Sequence, residues 1–309
     1  MKKQTLTIGI PAHNEGKNIG NLLQTIISQK QVSYHLEFII VVCDGCSDNT
    51  AQVVRDFAKK YPQFNIKLLN FHKRLGKAVA LNKIYSLSNT DLLLTFDADV
   101  ALERNIEVEL MVKEMQKDKR TTLVGGRFIP VKATTLMGKF SYISYVSFED
   151  AFLKLSNGKN MYALVGAASL MRRNLYKSFT YPRGVVSDQN YLYVMATRDN
   201  KYGFKLAKDT RILIRIVGTF KDWRILGARA VVADKASVAN FFGEKILKQY
   251  FMPRKLYFMS LFKWFLKSPA YSLGSLFMNM YIRTFPYRKA VHKNGTWELA
   301  ISSKEGIKI

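Results

Sequence analysis

Leu92-Leu93-Leu94-Thr95-Phe96-Asp97-Ala98-Asp99 is an apolar run closed by two carboxylates one residue apart. An uncharged run of this length reads as a buried strand. Alternation along an extended chain then turns Asp97 and Asp99 to the same side, where both can meet one cation. Two hard oxygen donors that leave the rest of a coordination shell open suit Mg²⁺ or Mn²⁺ shared with a ligand's phosphates. The same triplet is also what an ordinary turn after a strand contains, because Asp is frequent there. The segments upstream bear on that choice.

Leu6 to Ile10 reads as a second buried strand, ended by Pro11-Ala12-His13-Asn14-Glu15 and followed by a helix with Ile19, Leu22, Leu23, Ile26 and Ile27 on one face. A third strand, Phe38 to Val42, runs into Cys43-Asp44-Gly45-Cys46-Ser47-Asp48-Asn49-Thr50, where Ser47 or Asp48 is placed to cap the next helix. A fourth, Ile66 to Phe71, exits into His72-Lys73-Arg74-Leu75-Gly76-Lys77, and a helix over Ala78 to Ser88 leads to the Asp97 strand. Strand and helix alternate throughout, so the spacing predicts a parallel α/β sheet. In such sheets ligands sit beyond the carboxyl ends of the strands. Here four ends carry polar clusters: Asn14/Glu15, Asp44/Asp48, Arg74/Lys77 and Asp97/Asp99. That set suits a ligand with a polar ring and a polyphosphate.

Taken in order, Pro11 to Glu15, Val42 to Thr50, Gly76 to Asn82 and Phe96 to Asp99 resemble the signatures of the family 2 glycosyltransferases, inverting, nucleotide-sugar-dependent enzymes of the GT-A fold. The resemblance covers roughly residues 4 to 215. It implies a GT-A type nucleotide-sugar-binding domain, a divalent cation (Mn²⁺ or Mg²⁺) and sugar transfer with inversion at the anomeric carbon. By that analogy Pro11, Ala12, Glu15, Asp44 and Lys77 line the nucleoside pocket, Asp97 lies by the ribose and diphosphate, and Asp99 ligates the metal with Asp97 beside it. The family's catalytic acid is usually a Glu-Asp at the start of a helix after a glycine-containing loop. Pro182 to Leu192 occupies that place with Ser187 where Glu is usual, so Asp188 carries over as the base. A positioned carboxylate is what an acceptor hydroxyl needs to lose its proton as the new bond forms. An N-cap is the other reading of Asp188, and Ser187 supplies one equally well.

Two departures stand out. Cys43 replaces a common first Asp, and the Gln-x-x-Arg-Trp signature of processive polysaccharide synthases is missing. The nearest candidates are Lys221-Asp222-Trp223-Arg224 and Arg229, which are either diphosphate donors or surface arginines on an amphipathic helix. Transfer of one or a few sugars is the expectation, with a UDP-sugar favoured as donor.

At 309 residues and 48% hydrophobic content the chain can bury a full core, divided here as a catalytic domain over 1–235 (1–100 nucleotide-sugar half, 101–235 acceptor half) and a tail over 236–309. In the acceptor half, Thr121 to Ile129 reads as a strand and the stretch through Tyr142, Tyr145, Phe148 and Phe152 as a long helix. Ala163 to Met171 is a second buried run, and Glu149-Asp150 reads as a polar helix face. Two cysteines exclude a disulfide framework. Cys43 and Cys46 form a C-x-x-C with no second pair, and neither zinc nor thioredoxin-like chemistry is favoured for it. The four histidines (His13, His35, His72 and His292) are scattered and carry no metal assignment. Met1 to Gln4 precedes only five strand-like residues before Pro11, too few for a signal-peptide core, which points to the cytoplasm.

Lys and Arg total 48 against 23 Asp and Glu, a net charge of +25 that attracts nucleic acid, anionic lipid or phosphorylated substrates. No recognised nucleic-acid motif or aromatic stacking set accompanies it, which argues against a nucleic-acid partner. The tail reads instead as a basic amphipathic helix over Asn240 to Phe251, then apolar aromatic segments over Leu256 to Leu266 and Tyr271 to Ile282, closed by Arg283, Arg288 and Lys289. Lys263 and Pro269 interrupt any run long enough to span a bilayer, so an anionic membrane interface fits better. The expectation is a peripheral enzyme on the inner face of the cell membrane, with a lipid-linked or saccharide acceptor. Its rivals are a nucleotide-sugar-binding partner subunit that has lost catalysis and a basic nucleic-acid-binding protein.

Overall fold

The apolar runs become the central strands of one sheet, and their alternation assigns them to two layers of core. In β2 (Tyr34–Asp44), Ile39, Val41 and Cys43 face one layer while Ile40 and Val42 face the other. In β4 (Leu92–Phe96), Leu92, Leu94 and Phe96 oppose Leu93 in the same way. Strands covered on both faces have no polar side to show, which is why their sequences read as continuous hydrophobic runs. Cys43 is therefore a core side chain, with none of its surface exposed.

The computed structural model describes residues 3–229, 234–285, 287, 298 and 300–307. β1 (Gln4–Ala12), α1 (Ile19–Ile27), β2, α2 (Thr50–Lys60), β3 (Ile66–Phe71), α3 (Lys77–Leu87) and β4 follow the expected alternation. β3, β2, β1 and β4 lie side by side in that order, each pair parallel. Beyond β4 come β5 (Val100–Leu102), α4 (Glu107–Gln116), β6 (Leu123–Pro130), α5 (Leu136–Lys154), β7 (Ala168–Arg172), α6 (Arg173–Tyr176), α7 (Asp188–Thr197) and β8 (Phe204–Ile214). The full order is β3-β2-β1-β4-β7-β6-β8-β5. Here the mostly parallel sheet expected from sequence becomes mixed. β7 runs antiparallel to both β4 and β6, and β5 antiparallel to β8, while β6 and β8 are parallel. The reversal of β7 has a purpose in the site: its first residue, Ala168, pairs with Phe96, so the loop before it passes Asp97.

α8 (Phe220–Ala228) and α9 (Asp234–Phe242), which straddles the 235/236 division, lead into α10 (Arg254–Lys267) and α11 (Pro269–Thr284) of the tail. The single amphipathic helix expected over Asn240 to Phe251 is corrected. Gly243, in the left-handed region at φ 78°, ends α9, and Glu244–Tyr250 continues as 3₁₀ turns. α10 and α11 dock on α5, where Asp150 accepts from Lys263 Nζ at 2.6 Å and Trp264 Nε1 at 3.0 Å. Asn279 donates to Ser144 across the same seam. Gly274 lets α11 approach, since a Cβ there would lie 2.3 Å from the Phe140 ring. Glu149-Asp150 is thus no solvated polar face: Glu149 is buried against Arg127 and Asp150 anchors α10. The outward side of the hairpin leaves Phe258, Met259, Phe262 and Leu266 of α10 and Leu273, Phe277 and Met280 of α11 exposed. Among the described residues no helix is long and apolar enough to cross a membrane. Arg288, Lys289 and His292 lie outside the described residues.

Candidate functional site

The carboxyl ends of β1, β2 and β4 and the start of α7 enclose a cavity of about 300 Å³. Pro11, Ala12, Glu15, Asp44, Lys77, Asp97, Asp99 and Asp188 all line it, whereas Asn14 and Asp48 do not.

At one end, the loops after β1 and β2 are stitched to each other. The His13 ring nitrogen Nδ1 meets the Asp44 carbonyl at 2.7 Å, and Asn14, held at φ 55°, accepts from Ser47 N at 2.8 Å. Asp48 accepts from Gly16 N at 2.9 Å and from Thr50 N at 3.0 Å, so it ties the start of α2 to the loop leading into α1. Asp44 lines the cavity, yet both its oxygens are already engaged, by Leu75 N at 2.6 Å and Gly76 N at 2.8 Å. Its clearest work is to hold the loop that presents Lys77. Gly45 permits the close approach: at φ 62°, any Cβ would fall 2.3 Å from Arg74 N.

Lys77, at the first position of α3, is the hub of the site. Its ammonium lies 2.7 Å from Asp97 Oδ1 and 3.0 Å from Asp188 Oδ2. Burial works against that charge, but Asp188 and Asp97 outweigh it and hold the ammonium well above the ordinary lysine range. Asp97 is fixed from behind by its backbone N–H on Ala167 O at 3.1 Å. Asp188 opens α7 directly after Ser187, whose hydroxyl is buried and makes no cap. Ser187 thus takes the N-cap position without a side-chain cap, and Asp188 is the first helical residue, not the cap.

Asp99 sits beside Glu15 and Asp97. Burial first, then the two neighbouring carboxylates, push it up to about 7. Carboxylate oxygens are hard donors of the kind Mg²⁺ or Mn²⁺ takes. Among the described residues no set of three or more His, Cys, Asp or Glu side chains is arranged to hold a metal unaided. Asp97 and Asp99 are the pair available, with a ligand's oxygens to complete the shell.

One part of the site was not foreseen from sequence. Ala300, Ser303 and Lys304 of the segment 300–307 line the cavity, and Lys304 inserts its ammonium between the His13 carbonyl, at 2.8 Å, and the Glu15 carboxylate. Asn18 and Asn21 donate to the carbonyls of Lys304 and Ile307, both at 2.8 Å. Arg215 clamps Glu305 O and Gly306 O, and Ser302 is held by Gly218 N and Asp222. Burial lifts the Glu15 carboxyl and Lys304 pulls the other way. Of the two arginine candidates, Arg229 lines the cavity, whereas Arg224 faces the Tyr287 ring at 4.9 Å.

Residues 7–180 match the family model "Glycosyl transferase family 2". Among curated proteins, Dolichyl-phosphate beta-glucosyltransferase ALG5C of Trichomonas vaginalis is 37% identical over 129 residues, 39% of this chain and 38% of that protein. Probable glycosyltransferase YdaM of Bacillus subtilis is 32% identical over 148 residues, 47% of this chain and 34% of that protein. The alignments thus span well under half of either relative. In fold, the chain resembles a mannosyltransferase from Pyrobaculum calidifontis solved with GDP-Man and Mn²⁺. The TM-score is 0.61 at 18% identity, over 93% of this chain and 84% of that one. Glucosyl-3-phosphoglycerate synthase from Mycobacterium tuberculosis, solved with Mn²⁺ and UDP-glucose, gives 0.53 at 15% identity, over 77% of this chain and 78% of that one.

Proposed function

Because the chain belongs to glycosyl transferase family 2, we propose that it transfers a sugar from a nucleotide-sugar, with a UDP-sugar favoured, to an acceptor hydroxyl or phosphate with inversion at the anomeric carbon. The observation that carries the reading is the Lys77 bridge, which holds Asp97 and Asp188 to one point on the wall of the cavity that Asp99 also lines. Pro11 and Ala12 supply the wall for the nucleoside, and Asp44 fixes the loop beside it.

In this reading Asp188 is the base. It takes the acceptor hydroxyl's proton at a reach of about 2.6–3.2 Å while that oxygen attacks C1 and the bond from C1 to the diphosphate breaks. Lys77 holds Asp188 in place on the cavity wall through their 3.0 Å ion pair. A divalent cation held by Asp99, with Asp97, would supply Lewis-acid stabilisation of the leaving diphosphate. A single displacement of this kind needs no nucleophile from the protein.

A lipid-linked acceptor at the inner face of the membrane completes the proposal. Its support is the exposed apolar side of α10 and α11, bordered by Arg254, Lys255, Lys267 and Arg283, together with a relative whose name specifies dolichyl phosphate. The division at 235/236 belongs to the same proposal, with the end of the tail serving the catalytic cavity through Lys304.

The test is Asp188→Asn. It is expected to retain nucleotide binding and lose transfer by about 10²–10⁴-fold, the range for a removed general base. Retained transfer would refute the assignment.

A further inference from the structure

Past Asp188 the cavity continues to Ser187, Arg229 and Asp234, and nothing in the mechanism above uses them. Asp234 stands at the start of α9, which packs on α7 and is tied to the loop before it by Val186 N donating to Ser237 Oγ at 3.2 Å. Its side chain is buried, with 7% of the residue exposed, and its Oδ1 has no hydrogen-bond partner. The Ser187 hydroxyl, 3% exposed, has none either. Two such groups on the wall of one cavity are a costly arrangement unless something else satisfies them.

Resting on the glycosyl-transfer reading, we propose that Asp234 and Ser187 form the subsite that reads the hydroxyl groups of the donor sugar. The chemistry selects that ligand. A carboxylate oxygen calls for a donor, a serine hydroxyl gives and takes, and a sugar's neighbouring hydroxyls do both. Asp234 repels an anion, and Arg229 beside it disfavours a second cation. Burial raises the Asp234 carboxyl to about 6 while Arg229 draws it back down, in keeping with a group short of partners. The position fits as well: the nucleoside wall is at Pro11 and Ala12, the proposed diphosphate site at Asp97 and Asp99, and the sugar comes next, beside Asp188.

Calorimetry with Mn²⁺ separates the sugar's contribution from the nucleotide's. UDP and GDP are titrated beside UDP-glucose, UDP-galactose, UDP-N-acetylglucosamine and GDP-mannose into the wild-type chain, Asp234→Asn and Ser187→Ala. The expected result is unchanged affinity for the bare diphosphate, within about twofold, which also shows that the variants are folded. The preferred sugar nucleotide should weaken by about tenfold in Asp234→Asn, as when a charge-assisted hydrogen bond becomes a neutral one, and by less in Ser187→Ala. If sugar nucleotide and bare diphosphate weaken equally, or neither changes, the subsite is wrong while the donor reading stands. The same holds if the wild-type chain binds no sugar nucleotide differently from its diphosphate. Absence of any nucleotide binding by the wild-type chain would overturn both.

Discussion

Replacing Lys77 by Met removes the cation between Asp97 and Asp188 and leaves two carboxylates facing each other. At contacts of 2.7 and 3.0 Å, each pair is worth about 6 kcal/mol by Coulomb's law at an effective dielectric of 20. The three side chains keep 20%, 31% and 13% of their surface, so water screens much of that, and desolvation of the lysine takes back more. A net loss of about 2–3 kcal/mol remains, the scale of one or two charge-assisted hydrogen bonds. That is a minority of an ordinary domain's stability, so the variant folds. The assay is a urea double-mutant cycle with Lys77→Met, Asp188→Asn and the double variant. Removing Asp188 after Lys77 is already gone should cost about 1–2 kcal/mol less than removing it from the intact chain. Additivity within about 0.5 kcal/mol would refute the bridge as an energetic link.

Three further outcomes follow from the same contacts. Lys304→Ala takes one positive charge from a cavity holding Glu15, Asp97 and Asp99, so Mn²⁺ should bind several-fold more tightly and UDP in chelator several-fold more weakly by calorimetry. Gly45→Ala forces a Cβ against the Arg74 backbone at φ 62° and should lower stability by about 2 kcal/mol or more in thermal unfolding. Phe258→Ser with Phe262→Ser and Phe277→Ser removes exposed apolar area from the outer side of α10 and α11. The triple variant should stay in the supernatant when anionic vesicles sediment the wild-type chain at low salt; equal sedimentation of both would exclude that face as the contact.

The first hundred residues were legible because their information is local. Each of their four strands is a short apolar run ending in a polar cluster, and parallel pairing sends β1, β2, β3 and β4 to a common edge. Asp97, Asp99 and Lys77 could thus be placed from strand ends and a helix start. What escaped depends on contacts distant in sequence. Lys304 lies 289 residues from Glu15, and nothing in Ser302-Ser303-Lys304-Glu305 marks it as more than a polar segment. Asp44 lines the cavity as expected, but its engagement with Leu75 N and Gly76 N appears only when the loops fold together. The reversal of β7 was hidden for a related reason, since a buried run carries no mark of direction. Glu149 and Asp150 illustrate the converse: charges on a long helix read as solvated until α10 and Arg127 cover them.

In the proposed function, Asp97 and Asp99 build the donor site. Thermal unfolding with UDP, GDP, CDP and ATP, each with and without Mn²⁺, beside Asp99→Ala, tests it most directly. The expected result is stabilisation by one nucleoside diphosphate that requires Mn²⁺ and disappears in Asp99→Ala, about 2.7 kcal/mol at a hundredfold excess over Kd. Stabilisation that is indifferent to Mn²⁺ and preserved in Asp99→Ala, or none with any nucleotide, would contradict it.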